Sequence, residues 1–129
     1  MSTLTVATVK SNSSSPPAFQ NTSGTEIGRL CRAFVTFNSL GTVSIFAQYN
    51  VSSITDNGIG DFTLNFTSAF ADTSYSVVFG NMTDSSFDGR YMPNVKYNTR
   101  ATNTVGIVIK YAANATYYDC DYTAVSIFR

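Results

Sequence analysis

The sequence predicts an all-β protein: an antiparallel β-sandwich of about seven or eight strands behind an extended N-terminal arm. Three observations carry that expectation. Thr, Ser and Asn number 17, 16 and 11 of 129 residues, while charged side chains make up only 12%, and short hydroxyl and amide side chains suit pleated strands and tight turns. From residue 29 onward apolar residues alternate with polar ones in segment after segment, and no segment sustains a helical period. Turn signals part the segments at spacings of roughly 8–12 residues.

Residues 1–28 read as the arm. Thr3 to Val9 alternates and predicts one short docking strand, with Leu4, Val6 and Val9 as its apolar side chains. A serine run and the Pro16-Pro17 pair then forbid a regular ladder, Phe19 stands alone, and Gly24 and Gly28 punctuate a polar stretch. In a monomer such an arm reads equally as a frayed tail; an assembly orders it and assigns Leu4, Val6, Val9 and Phe19 to assembly contacts.

Residues 29–129 read as the sandwich. Arg29 to Asn38 places Cys31, Ala33, Val35 and Phe37 on one face, and Leu40-Gly41 turns the chain. Thr42 to Asn50 points Val43, Ile45, Ala47 and Tyr49 inward. Val51 to Ile54 is a short strand or bend ending at Asp56-Asn57-Gly58, a hairpin signal. Gly60 to Thr67 alternates with Phe62, Leu64 and Phe66 inward. Ser68 to Asp72 reads as a loop with room for one helical turn, and Thr73 to Asn81 sets Tyr75, Val77 and Phe79 on one side. A polar loop leads to a weaker strand near Asn94 to Thr99. Thr104 to Tyr111 is strongly patterned, and a strand over Tyr117 to Arg129 closes the chain.

Composition restricts function. Eight basic residues cancel eight acidic ones, so no net field draws the chain to nucleic acid or an acidic membrane. No His is present and the single Glu, Glu26, lies in the arm. That removes Ser-His-Asp hydrolysis and imidazole-based zinc sites, and it argues against a paired-carboxylate glycosidase. The expectation is a protein without enzymatic activity, cofactor or metal. The opening residues lack a basic and apolar export signal, and no stretch is long and apolar enough for membrane insertion. Cys31 and Cys120 lack metal-ligand spacing and are expected as free thiols. Six Asn-x-Ser/Thr sites, at Asn12, Asn21, Asn50, Asn65, Asn81 and Asn114, are expected to stay unmodified without an export route.

Two acidic groupings have a bland alternative beside the functional one. Asp84 to Gly89 resembles a calcium loop but lacks its closing bidentate Glu, and Asx-turns explain it better. Asp119-Cys120-Asp121 places two carboxylates on one strand face, where charge at a solvent-facing edge discourages aggregation. Contact is the better use of the loops. Asp84, Phe87, Asp88, Arg90 and Tyr91 mix charge with aromatic surface on a long polar loop, and Tyr117 and Tyr118 add two rings on another. These seven are the candidate receptor-contact residues.

The runs SGTEIG with CRA (residues 23–28 and 31–33), NVSSITDNG with GD (residues 50–58 and 60–61), and the ending Thr123 to Arg129 resemble a small β-domain of tailed-bacteriophage virion proteins. That domain is common at the C-terminal end of tail-fibre-like proteins of marine phages, including cyanophages. The resemblance covers roughly residues 17–80 and the last strand, and the family often has Trp where Phe34 stands. It implies a virion structural protein on the particle surface, made in the host cytoplasm and serving host attachment or virion assembly. The implied partners are further copies of itself as a homotrimer, other virion proteins, and a host-surface glycan or protein. Two alternatives remain: a decoration or cement protein on the phage head, and a secreted carbohydrate-binding adhesin.

Overall fold

Period-two patterning becomes strand wherever two patterned segments can pair. The computed structural model describes residues 3–12, 17–83 and 91–129; among them it is all-β, with ten strands and no helix. The chain divides into two compact units, Met1–Leu30 and Cys31–Arg129.

The first unit holds one small hairpin. Strands β1 (Phe19–Gln20) and β2 (Glu26–Gly28) pair antiparallel. Asn21 closes the turn: its Oδ1 accepts the N–H groups of Ser23 and Thr25 at 3.0 and 2.9 Å, and Gly24 takes the left-handed φ of 78°. Arg29 and Glu26 form an ion pair beside it. The strand expected over Thr3 to Val9 is not formed: residues 3–10 carry no ladder, and Leu4, Val6 and Val9 are 83%, 51% and 65% exposed. Alternation alone does not make a strand; its backbone groups need a partner.

The second unit is a sandwich of two four-stranded antiparallel sheets. Strands β3 (Cys31–Asn38), β4 (Ser44–Tyr49), β7 (Ser76–Thr83) and β10 (Tyr122–Phe128) form one sheet in the order β4-β3-β10-β7. Strands β5 (Val51–Gly58), β6 (Asp61–Phe66), β8 (Tyr91–Val95) and β9 (Thr104–Tyr111) form the other in the order β5-β6-β9-β8. Inward side chains of the central strands make the core between them: Ala33, Val35, Phe37, Val125 and Ile127 from one sheet, and Phe62, Leu64, Phe66, Val105, Ile107 and Ile109 from the other. The rings of Phe37 and Phe62 meet edge-on at 5.6 Å across the two layers.

The chain changes sheet at Asn50, whose φ of 53° turns β4 into β5. Its side chain holds the corner by donating to the carbonyls of Arg32 and Ser68, both at 3.1 Å, and accepting from Ser68 N–H at 2.7 Å. One aromatic cluster caps each end of β9. Phe66, Phe70 and Tyr75 pack at 4.8 to 6.1 Å, and Tyr91, Tyr111 and Tyr118 at 5.4 to 6.3 Å. Phe70 belongs to the core, although Ser68 to Asp72 is a loop with no helical turn.

Several boundaries differ from the sequence expectation, each for a local reason. β5 runs on to Gly58, because Asp56-Asn57 occupies a bulge and the turn falls at Ile59-Gly60. β8 lies three residues earlier than Asn94, in register with Tyr111 to Ile107. β10 begins at Tyr122, since residues 117–119 are tied instead to β9 and the β5–β6 turn, and Cys120 to Ser39. Ala47 and Tyr49 are exposed, not inward. The β3–β4 register shifts between Thr36↔Ala47 and Phe37↔Ile45, and one extra residue reverses which face each later side chain takes.

Neither cysteine is in a disulfide; Cys31 is half-buried and Cys120 buried. Cys31 opens β3, whereas Cys120 bonds to Ser39 just beyond its other end, through Ser39 N–H to Cys120 O at 2.9 Å and Cys120 N–H to Ser39 Oγ at 2.8 Å. A strand of that length separates the thiols by about 26 Å, far beyond disulfide reach.

Candidate functional site

The polar side chains with the most built surroundings gather on the outer face of the β5-β6-β9-β8 sheet, around the β5–β6 turn. Gly60 makes the arrangement possible. Its φ is 63°, and a Cβ there would lie 2.5 Å from both Ile109 O and Tyr118 N. Without one, the segment 117–119 lies directly against the turn. Gly60 N–H donates to Asp119 Oδ1 at 2.8 Å, Ile109 N–H to Gly60 O at 2.9 Å, and Tyr118 N–H to Ile109 O at 3.1 Å.

This close approach sets Tyr117 beside the turn, with Lys110 Nζ 5.0 Å from its ring centroid. Asp61, at the start of β6, forms a partly buried ion pair with Lys96 from the end of β8. Asn57 donates to Thr63 Oγ1 at 3.0 Å. Together Asn57, Gly58, Ile59, Asp61, Lys96 and Tyr117 line a shallow cleft of about 280 Å³. Lys96 is also a wall of a second open cleft of about 440 Å³, whose lining includes Thr73, Tyr97 and Arg100. Arg100 reaches back over the Tyr75 ring at 5.9 Å. Tyr75 itself is buried, its hydroxyl donating within reach of the Ala101 and Thr104 carbonyls at 3.0 and 3.1 Å. Burial pushes that phenol above its usual 10.0, against the opposing pull of Arg100.

The site offers a tyrosine ring, an amide, a carboxylate and an ammonium around a shallow floor. Such groups bind by stacking and hydrogen bonding to a hydroxyl-rich or peptide ligand. Among the described residues no three Asp, Glu or Cys side chains converge as a metal site would require.

The predicted contact residues fall in different places. Asp84, Phe87, Asp88 and Arg90 lie outside the described residues. Tyr91 is half-buried against the core, and Tyr118 is half-buried with it in the three-ring cluster. Of the three that are described, Tyr117 alone lines the cleft. Leu4, Val6, Val9 and Phe19 are exposed. The Asp119 carboxylate is not an edge-strand guard: it caps Gly60, and β10 beyond it runs between β3 and β7. Two glycosylation-type asparagines have their amide nitrogens engaged, Asn50 at the sheet corner and Asn65, which donates to Ser53 Oγ and Thr55 Oγ1 at 3.1 and 3.0 Å.

Sequence reasoning missed Asn57, Ile59, Asp61, Lys96 and Tyr97. Asp61 and Lys96 stand 35 positions apart and meet only because β6 and β8 flank β9. No signal within either segment points to the other. Compared with known protein families, curated proteins and solved structures, the chain finds no match.

Proposed function

We propose that the chain is a bacteriophage virion structural protein, a tail-fibre-like surface domain that serves host attachment or virion assembly and works as a homo-oligomer, a trimer in the first instance. One observation carries the reading: the first unit presents Leu4, Val6, Val9, Phe19 and Ile27 exposed, on a segment whose own ladder is a two-strand hairpin. Apolar side chains strung along a chain without a core are stabilised when a neighbour covers them. The family resemblance of residues 17–80 and the last strand supports the same assignment.

Host contact falls to the turn-lined cleft, where Tyr117 supplies stacking area and Asn57 and Asp61 supply polar partners. A single cleft of this size binds weakly, and several copies on one particle raise the effective affinity by avidity. A head-mounted decoration protein is the variant reading that the exposed arm favours. The number of copies per particle, and their position on head or tail, separates the two.

The test is removal of residues 1–17. The truncated chain is expected to keep the thermal unfolding of the full chain, because its sandwich core lies wholly within residues 31–129, and to be missing from assembled particles. Incorporation equal to that of the full chain would overturn the assembly role of the arm.

A further inference from the structure

The two outer faces of the sandwich are built differently. On the β5-β6-β9-β8 sheet the exposed side chains satisfy one another: Asn65 bonds Ser53 and Thr55, Asn57 bonds Thr63, and Lys96 pairs with Asp61. Among the described residues the opposite face shows no such ladder. Arg32 is the single charged residue in the whole of β3, β4, β7 and β10. Phe34, Phe46, Tyr49 and Val78 stand exposed there, between 36% and 56%.

The register gives this face a defined relief. Tyr49, Phe34, Ser126 and Val78 form one row across the four strands. Two residues further along, Ala47, Thr36, Ala124 and Gly80 form a row of small residues. Beyond it stand Phe46 and Tyr122, stacked at 5.8 Å with an interplanar angle of 15°. Phe34 and Tyr49 stack likewise at 6.5 Å. The face is therefore a trough of small side chains between two ridges, each ridge holding a ring pair already fixed in place. Prepositioned rings lose little freedom on contact.

We propose that this face is an interface between copies of this chain. The one charge of these strands, Arg32, lies near the start of β3, so most of the face meets its own copy without repulsion, and a two-fold axis offset by half the ridge spacing sets one ridge of each copy into the trough of the other. Four strands about 4.8 Å apart and seven residues of about 3.3 Å make a footprint near 440 Å² on each copy. Two such footprints bury roughly 900 Å², in the range of weak, transient contacts and below that of stable ones, so the pairing dissociates on dilution. The proposal rests on the homo-oligomer part of the function proposed above, and names for it a two-fold surface in place of a three-fold one.

Sedimentation equilibrium of the full chain over a wide concentration range tests it. The wild-type mass should rise above that of a monomer with concentration. Tyr49→Glu combined with Val78→Glu should return it to monomer, and so should Ala47→Tyr, which fills the trough without adding charge. Both variants alter exposed positions, and circular dichroism should show their strand content unchanged. Tyr97→Ser, at an exposed tyrosine on the other sheet's side, should associate as wild type does. Association unaffected by both face variants would overturn the surface while leaving the homo-oligomer reading standing. A monomer at every concentration would overturn both. Association lost only on removing residues 1–17 would overturn the surface in favour of the arm.

Discussion

Two buried oxygens show how hydrogen-bond satisfaction decides the sign of a substitution. The Tyr75 hydroxyl reaches two carbonyls, Ala101 and Thr104, that close the loop between β8 and β9. Thr123 Oγ1 is buried beside the core and has no partner among the described residues. Tyr75→Phe should therefore lower stability by about 1 kcal/mol, and Thr123→Val, which keeps the shape and removes the unpaired hydroxyl, should raise it by about 1 kcal/mol. Urea unfolding of the two variants checks this; the same sign for both would contradict it. The sequence placed Tyr75 on the core face. Nothing in it marked the Thr123 hydroxyl, because satisfaction depends on what the fold brings near. The same holds for Asp72, two residues beyond the buried Phe70: it pairs with Arg129 across 57 positions, and this hydrogen bond holds its carboxyl below the usual 3.8.

At the scale of elements, period two was enough to find most sandwich strands, and β9 coincides with the predicted Thr104 to Tyr111. The errors lie where one strand's backbone is set by another. Ala47 and Tyr49 moved outward because the bulge facing β3 inverts the alternation, and a bulge on an edge strand leaves no mark in hydrophobicity. The cleft was legible only through Tyr117, since its other walls come from β5, β6 and the end of β8. Gly60 joins those elements, and Gly60→Ala tests the joint. A Cβ at φ 63° facing Ile109 O and Tyr118 N should cost about 2–4 kcal/mol in urea unfolding. The wild-type midpoint in that variant would mean that the 117–119 segment is not pressed against the turn.

For the molecule as a whole, composition and rhythm led to an all-β sandwich, and two four-stranded antiparallel sheets are what the chain forms. Which strand neighbours which was not legible, because pairing is decided by long-range closure. That closure keeps Cys31 and Cys120 at opposite ends of β3. Both thiols should titrate fully after denaturation without reductant, and in the native protein half-buried Cys31 should react before buried Cys120. A disulfide between them would contradict the register of β3 and β10. The same register has a consequence in time. Val35 pairs with Val125, ninety positions later, so β10 enters between β3 and β7 only after every other strand exists. During synthesis the β3–β4 hairpin must wait, with one side of its backbone open, until residues 122–128 have been made. Pairings of such long range form slowly, and unfilled strand edges are where growing chains aggregate. The strand made first in that sheet thus completes its pairing only when β7 gains its own, and the yield of folded protein depends on how fast β10 arrives.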